Sequence, residues 1–363
     1  MKIKIEKEGF SNAIQTVQNV VSTKSALPIL ANMLLIAQNN SIKLITTDLD
    51  VGISCVLPVN IQEAGAITVP TKRFGDIIRE LPSDSALISS KKNNMITIET
   101  ESCQFKIMGL PAEEFPKLPE FKDREIIKLE QSNLKDMLRL TSFAVSTDES
   151  RYVLNGILLN IQRNNLTLVA TDGKRLAVIN KKLTEMSDKE VNIIIPIKTV
   201  QELNRNLQDE GELSLTIGQN QALFDLGDVT IISRLIEGEF PDYRQVIPAA
   251  SEYKMRVNRE EFLLAIKRAS LLTTPDYQAV KLEVFKDKLV VSKSTPDVGE
   301  SSESVPIEYK GKEVAIGFNP TYLIDVLKNL GGEFIELELT DSEKPGVIRT
   351  DGYVYIVLPM RLG

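Results

Sequence analysis

The chain has 363 residues, of which 43 are Lys or Arg and 50 are Asp or Glu, with no His, no Trp and two Cys. Without imidazole there is no Ser-His-Asp triad, no Cys-His pair and no histidine-ligated metal, and two thiols cannot make a four-thiolate zinc site. The net charge of −7 argues against a general nucleic-acid coat but leaves room for a local basic surface. No run approaches the roughly 18 apolar residues of a membrane span, and the N-terminus carries too many charges for a signal peptide. We expect a soluble cytoplasmic protein whose Cys55 and Cys103 are packing residues in a reducing compartment.

In chain order, the same elements are predicted three times. Apolar residues at helical spacing indicate an early helix in 10–21, in 134–143 and in 262–271, and alternating strands follow each of them. A second helix is expected to begin at each of Pro70, Pro196 and Pro320, since proline is favoured in the first helical turn. These prolines are 126 and 124 residues apart, close to a third of the chain.

Other motifs keep this period, because Thr47-Asp48 recurs as Thr171-Asp172 and Phe115-Pro116 as Phe240-Pro241. The repeat predicts an α+β fold of three tandem copies of one domain, each with two helices and about eight strands. The expected domains are residues 1–122, 123–249 and 250–363.

No motif for enzymatic chemistry emerges from the sequence. There is no phosphate-binding glycine loop, and Asp172-Gly173 predicts a type I′ hairpin turn. Asp48 and Asp50 are interpreted as strand-end turn residues in preference to cation ligands. The acidic stretch 297–303 is predicted to be a solvated loop. We expect no cofactor and no metal.

Charge is distributed unevenly between the helices and the rest of the chain. The helical stretches 70–81, 134–145, 196–207, 258–271 and 320–330 hold eleven basic and seven acidic residues. A solvated helix face explains this pattern equally well. If tandem copies place equivalent helices on one side, however, that side could attract phosphates without reading bases.

Several motifs in order then resemble one family over the whole chain, the bacterial sliding clamps that are β subunits of the replicative DNA polymerase III. They are Leu27-Pro28-Ile29-Leu30, Thr47-Asp48-Leu49, Thr68-Val69-Pro70, Arg151-Tyr152-Val153-Leu154-Asn155-Gly156, Ala170-Thr171-Asp172-Gly173-Lys174-Arg175-Leu176, Phe240-Pro241-Asp242-Tyr243-Arg244 and Pro359-Met360-Arg361-Leu362. The resemblance implies a non-catalytic clamp, a head-to-tail homodimer whose six domains form a ring around duplex DNA.

The resemblance also implies binding residues. Short peptides of the replicative polymerase, the clamp loader, and repair and translesion polymerases are expected in a hydrophobic pocket between domains 2 and 3. The pocket residues are Leu154, Thr171, Gly173, Lys174, Arg175, Leu176, Pro241, Val246, Ile356, Leu358 and Met360. Arg175 and the glycine turn are expected to supply polar contacts at its rim. Many family members have His at the position of Lys174 and a basic residue at that of Gln245.

DNA contacts and a subunit contact follow from the same resemblance. The expected DNA-binding residues are Lys24, Lys72, Arg73, Tyr152, Lys198 and Arg205. Phe105 and Ile107 are expected to meet Leu271 and Leu272 of a second copy, although ordinary core packing explains these four residues equally well.

Two other functions stay open on sequence. One is a three-repeat scaffold that binds peptides but never encircles DNA. The other is an enzyme that uses carboxylates, for which no site is found.

Overall fold

The computed structural model describes residues 1–21, 27–119, 121, 125–183 and 190–362. Over these residues each third of the chain has two α-helices and eight or nine strands in the same order, as the repeat predicts. The first third contains β1 Lys2–Glu6, α1 Lys7–Gln18, β2 Asn32–Gln38, β3 Ser41–Thr47, β4 Val51–Pro58, β5 Asn60–Glu63, β6 Gly65–Pro70, α2 Thr71–Arg79, β7 Ser85–Ser90, β8 Met95–Glu99 and β9 Gln104–Met108.

The second and third parts repeat this order without a counterpart of β5. The second contains β10 Ile126–Glu130, α3 Gln131–Thr141, β11 Gly156–Gln162, β12 Asn165–Thr171, β13 Arg175–Lys182, β14 Val191–Pro196, α4 Ile197–Asn206, β15 Glu212–Ile217, β16 Gln221–Asp225 and β17 Val229–Arg234. The third contains β18 Lys254–Asn258, α5 Arg259–Ser270, β19 Val280–Val284, β20 Lys288–Thr295, β21 Gly299–Tyr309, β22 Val314–Phe318, α6 Pro320–Asn329, β23 Phe334–Glu338, β24 Gly346–Thr350 and β25 Tyr353–Val357.

By contacts the chain divides into two compact units that cut across the repeats. The first comprises Met1–Lys135 and Lys198–Leu235, and the second comprises Asp136–Ile197 and Ile236–Gly363. The middle repeat contributes β10 and β15–β17 to one sheet of the first unit and β11–β14 to the sheet of the second.

The first unit contains two antiparallel sheets, ordered β5-β1-β7-β8-β9 and β10-β15-β16-β17-β4-β3-β2-β6. Helices α1 and α2 pack on each other, with the rings of Phe10 and Phe74 edge to face at 6.1 Å. Both rings are fully buried, so the apolar stripes expected from sequence form the core here.

The second unit is built on one sheet, ordered β14-β11-β12-β13-β25-β24-β23-β18-β21-β20-β19-β22. The side chain of Asn258 caps α5 by accepting from the N–H groups of Glu260 and Glu261, and Asn319 caps α6 by accepting from that of Thr321. Such caps satisfy backbone donors that the first helical turn leaves free.

The proline prediction is right for one helix and wrong for two. Pro320 is the first residue of α6, but Pro70 and Pro196 are the last residues of β6 and β14, and the helix starts one position later in each case. Pro70 pairs with Asn32 and Pro196 with Gly156 at a sheet edge, where a missing N–H is tolerated.

The loop expected over the acidic stretch 297–303 is right for Asp297 and Val298, which lie in a turn, and wrong for the rest. Residues from Gly299 onward belong to β21, which pairs with β20 as far as Pro306. Residues 299–304 are glycine, serine and glutamate with no apolar residue, so the hydrophobic pattern gives no strand signal there.

The cysteines occupy different environments. Cys55 is buried in β4, and burial together with the nearby charge of Asp228 raises the pKa of its thiol to about 11. Cys103 is half-buried just before β9, with its Sγ 3.1 Å from Oγ1 of Thr100. Among the helices of the described residues, none is long and apolar enough to cross a bilayer.

Candidate functional site

The expected pocket residues centre on the pairing of β13 with β25 in the second unit. Leu176 lies directly opposite Ile356, and both are buried in one apolar cluster. That cluster also contains Leu158, Val169, Val178, Ile194 and Val347. The backbone N–H of Leu358 donates to the carbonyl of Lys174 at 2.9 Å, which fixes the strand end beside the 172–174 turn.

The 172–174 turn is tight, but it is not type I′. Such a turn needs positive φ at both central residues, and only Gly173 has it, at +86°. The carboxylate of Asp172 instead accepts from the N–H groups of Lys174 and Arg175 at 2.8 and 3.0 Å. Thr171 Oγ1 accepts from the N–H of Gly173 and donates to the carbonyl of Arg175. Side-chain capping therefore decides this turn.

All three side-chain nitrogens of Arg175 donate hydrogen bonds to other groups of the chain. Its Nε donates to Asp172 at 3.0 Å, one terminal nitrogen donates to Asp325 at 2.7 Å, and the other donates to the carbonyl of Phe143. The guanidinium carbon lies 4.5 Å from the centre of the Tyr322 ring, a cation–π contact. Burial acts to lower the pKa of Arg175, but the hydrogen bond to Asp325 and the two carboxylate charges outweigh it and the pKa is raised.

Sequence reasoning did not identify Phe143, Tyr322 or Asp325 as partners of Arg175. Asp325 is 150 residues away in sequence, so no local pattern connects the two side chains. The only available signal was an acidic residue on an otherwise apolar stretch of the 320–330 helix.

The remaining pocket candidates differ in burial and in the surface features that they line. Leu154 is buried at the end of the 3₁₀ segment Glu149–Leu154, whereas Val246 and Leu358 are exposed. Pro241 lines a groove of about 320 Å³. Met360, whose N–H donates to the carbonyl of Gly317 at 2.8 Å, lines a separate cleft of about 770 Å³.

Four of the six expected DNA-binding residues lie in the first unit. Lys72 and Arg73 are exposed in the first turn of α2. Lys198 is the second residue of α4 and is paired with Asp48, and Arg205 is the last residue but one and is paired with Glu202. Tyr152 is exposed in the second unit, and Lys24 lies outside the described residues.

The expected subunit-contact residues are at or near the protein surface. Phe105 is exposed and Ile107 half-buried on β9, an edge strand of its sheet. Leu271, which directly follows α5, is 79% exposed, and its neighbour Leu272 is half-buried. Phe105 and Leu271 are therefore large apolar side chains that lie exposed on the surface of the single chain.

No group of three or more Cys, Asp or Glu side chains that could hold a metal ion is found in the part of the chain that the structure describes.

Three family models match the chain in succession. They are the N-terminal, central and C-terminal domains of the DNA polymerase III beta subunit, and they match residues 1–119, 128–242 and 244–361.

Curated and solved proteins give the same result over the full length. A beta sliding clamp of Chlamydia pneumoniae is 35% identical, covering 100% of this chain and 99% of that protein. The crystal structure of a DNA polymerase sliding clamp from Bacillus subtilis superposes with a TM-score of 0.95 at 31% identity, with 100% of both chains covered. A sliding clamp from Bartonella birtlesii bound to griselimycin gives a TM-score of 0.94 at 34% identity, again with 100% of both chains covered. The chain therefore belongs to the DNA polymerase III beta subunit, or beta sliding clamp, family.

Proposed function

We propose that two copies of this chain close head to tail into a ring that encircles duplex DNA, slides along it, and holds replication and repair proteins through short peptides. Membership of the family makes the chain a non-catalytic processivity factor of DNA replication. Ring closure, DNA and peptide binding are supported by separate features of the chain.

The observation that carries the proposal is a strand pairing that occurs twice inside the chain. Strand β4 of the first repeat pairs antiparallel with β17, the last strand of the second repeat. Strand β13 of the second repeat pairs in the same way with β25, the last strand of the third. In both cases a strand of the earlier repeat, β4 or β13, pairs with the last strand of the repeat that follows.

Among the described residues, β9 of the first repeat and β21 of the third are the equivalents of these strands that lack such a partner. Among the described strands, β9, the last of the first repeat, pairs with β8 alone. Strand β21 meets β18 only over Ile307–Tyr309, so among the described strands Gly299–Pro306 has a neighbour on one side alone. Since β21 of one copy can pair with β9 of another, head-to-tail assembly removes both open edges.

The internal pairings also give the register of this junction. In the chain Cys55 lies opposite Val229, and Ile179 lies opposite Tyr353. Val229 and Tyr353 each follow the two-residue turn of a repeat's last hairpin, and Cys103 holds that place in the first repeat.

Glu303 holds the place of Cys55 and Ile179 in the third repeat. It pairs with Val291 in the β20–β21 hairpin as Ile179 pairs with Leu168 in the β12–β13 hairpin. In the proposed register, Glu303 lies opposite Cys103 of the partner subunit. Because the strands are antiparallel, Glu300 then lies opposite Lys106 of the partner subunit. Opposite charges that face each other across paired strands contribute about 0.2–1 kcal/mol.

The side chains beside the junction fit the same template. Phe143, just after α3, lies against Tyr355 of β25 with ring centres 5.8 Å apart. Leu271 lies as far from the first residue of α5 as Phe143 lies from the first residue of α3, and Phe105 has the place of Tyr355 in its hairpin. Packing of Leu271 on Phe105 of the partner subunit would cover both exposed side chains.

Peptide binding is supported by the apolar surface around Leu176 and Ile356. Val246 and Leu358 are exposed beside this buried cluster, and apolar peptide side chains placed there would gain about 25 cal/mol for each Å² removed from water. Arg175 is committed to Asp172, Asp325 and Phe143, so we assign it to holding the pocket wall instead of to a polar contact at the rim.

DNA binding is supported by the basic residues on two helices of the first unit. Lys72 and Arg73 are exposed, and Lys198 and Arg205 present their cations to solvent from α4. Lysine and arginine contacts to phosphate carry no base specificity, as a sliding ring requires.

A single substitution tests ring closure and its register together. In both internal junctions the pair equivalent to Cys103 and Glu303 is a non-hydrogen-bonded one, because the N–H of Val56 donates to Asp228 and that of Asn180 donates to Gly352. Such pairs have Cα atoms about 4.5 Å apart, within the range for a disulfide. Oxidised Glu303→Cys protein should therefore run as a covalent dimer on a non-reducing gel, with two links in a closed ring.

The matched control is Ser302→Cys, one residue out of register with its side chain on the other face, which should cross-link poorly. Adding Cys103→Ser to Glu303→Cys should remove the covalent dimer. Equal cross-linking of the Ser302 and Glu303 variants, or none with either, would contradict the proposed junction.

A further inference from the structure

The two cations of α4 are each held by a carboxylate that lies deeper in the protein. Lys198 is 43% exposed while its partner Asp48 is 10% exposed, and Arg205 is 50% exposed while its partner Glu202 is 2% exposed. All four residues belong to the first unit. The positive ends therefore face solvent over fixed negative charges.

Asp48 is held rigidly by its own turn. Its Oδ1 accepts from the N–H groups of Asp50 and Val51 at 3.1 and 2.8 Å, which leaves Oδ2 for Lys198. An exposed ion pair is weak partly because two flexible side chains must be ordered, and here one side is already ordered. The turn thus presents a fixed anion to Lys198.

A buried carboxylate at the position of Glu202 costs free energy of folding. Its Oε2 is buried without a hydrogen-bond partner among the described residues, and burial raises the pKa of its carboxyl despite the charges of Arg205 and Lys198. An apolar side chain would fill such a place at lower free-energy cost. The carboxylate is therefore better explained by its charge than by packing.

Helix α2 provides the contrast within the same unit. Lys72 and Arg73 are exposed in its first turn, and no side-chain ion pair engages them in the described part of the chain. The unit thus presents two free cations on α2 and two neutralised ones on α4.

We propose that Asp48 and Glu202 are built-in counter-ions that weaken the hold of Lys198 and Arg205 on DNA phosphates, so that the ring is guided by α4 without being fixed by it. This inference rests on the proposed encirclement of DNA. A phosphate must compete with a carboxylate that is already in place, so each α4 contact releases less than one full counterion.

The test measures how binding to a 30-base-pair duplex depends on salt, by fluorescence anisotropy of the full-length protein. Asp48→Asn keeps the Oδ1 acceptor of the turn and removes the charge that pairs with Lys198. Glu202→Gln removes the charge that pairs with Arg205. Each freed cation should steepen the slope of log K against log salt by up to about 0.9 and raise affinity several-fold in 50 mM NaCl.

Asp341→Asn is the matched control. Asp341 also caps a turn, accepting from the N–H groups of Glu343 and Lys344 at 2.9 Å, and it pairs with Lys344 away from the helices. Asp341→Asn changes the net charge by the same amount as Asp48→Asn, and it should leave the slope of log K against log salt at the wild-type value. Adding Lys198→Gln to Asp48→Asn should cancel the gain.

Three results would overturn the inference: wild-type slopes for both Asp48→Asn and Glu202→Gln, an equal rise for Asp341→Asn, or a gain that persists without Lys198. Thermal unfolding of each variant checks that the fold is retained. Retention of wild-type protein on closed circular DNA, but not on the linearised form, tests encirclement independently. If the wild-type protein is not retained on closed circular DNA, the proposed function is contradicted, whatever the salt dependence of binding.

Discussion

Arg175 is the residue with the densest set of interactions in the candidate pocket. It joins the 172–174 turn to α6 through Asp172 and Asp325, and to the end of α3 through the carbonyl of Phe143. Removing one member of a buried ionic network leaves the others as uncompensated charges, and this usually costs more than the intact network contributes.

We therefore expect Arg175→Ala to lower the free energy of unfolding by about 3–5 kcal/mol, measured by urea denaturation. Arg175→Lys keeps the charge but loses the planar fork that reaches two carboxylates, so its loss should be smaller but clear. A change below about 1 kcal/mol for Arg175→Ala would mean that the network does not stabilise the second unit.

Glu202 predicts a particular pH dependence of stability. Burial raises its folded-state pKa above the ordinary value of 4.5, so just above pH 4.5 the folded state binds more protons than the unfolded state. Stability from this group is therefore present at low pH and is lost as pH rises through the folded pKa. The stability of the wild type relative to Glu202→Gln should fall between pH 4 and pH 7, and a constant difference would contradict the burial argument.

At the residue scale, sequence could predict types of residue but not partners. The turns at Asp48 and Asp172 were predicted from the turn preferences of their residues, yet the turn type at Asp172 was missed because it depends on which backbone N–H groups donate to the Asp172 carboxylate. Asp325, which pairs with Arg175, and Asp48, which pairs with Lys198, are each 150 residues from their partners, and only the folded chain brings them together.

At the scale of elements, the unpaired edge of β9 has a defined hydrogen-bonding pattern. The N–H of Thr100 donates to Cys103 and that of Gly109 to Asn94, so Cys103 and every second residue after it bond to β8. The N–H of Lys106 therefore points away from β8, toward the proposed partner strand.

Proline at this position separates the junction from the domain. Lys106→Pro should keep the β8–β9 ladder, because no bond to β8 is lost, but it should weaken the dimer at least 100-fold by removing one junction hydrogen bond and adding a clash. Lys106→Ala, which keeps the N–H, should weaken it no more than about fivefold. Dimer affinity by analytical ultracentrifugation checks this, and equal effects of the two variants would contradict an edge-to-edge junction.

Element type was predictable where apolar residues recur, as in the early helices expected within 10–21, 134–143 and 262–271, which correspond to α1, α3 and α5. Strand β21 was missed because its first half, residues 299–304, is polar. Its strand character comes from pairing with β20, which is a property of the hairpin and not of the segment.

At the scale of the whole molecule, the period near 124 residues was enough to predict three copies of one α+β domain. The two compact units were not predictable from that period, because contacts follow the sheets, and strand pairs β4–β17 and β13–β25 cross the repeat boundaries. The same pairings explain why a third junction is expected between copies.

The most direct test of the ring is the mass and small-angle scattering of the purified protein across a size-exclusion peak. A closed dimer predicts about 81 kDa, twice 40.5 kDa, with a distance distribution that has the depleted centre of a hollow particle. A 40.5 kDa particle with a radius of gyration of about 21 Å, maintained at tens of micromolar protein, would contradict it.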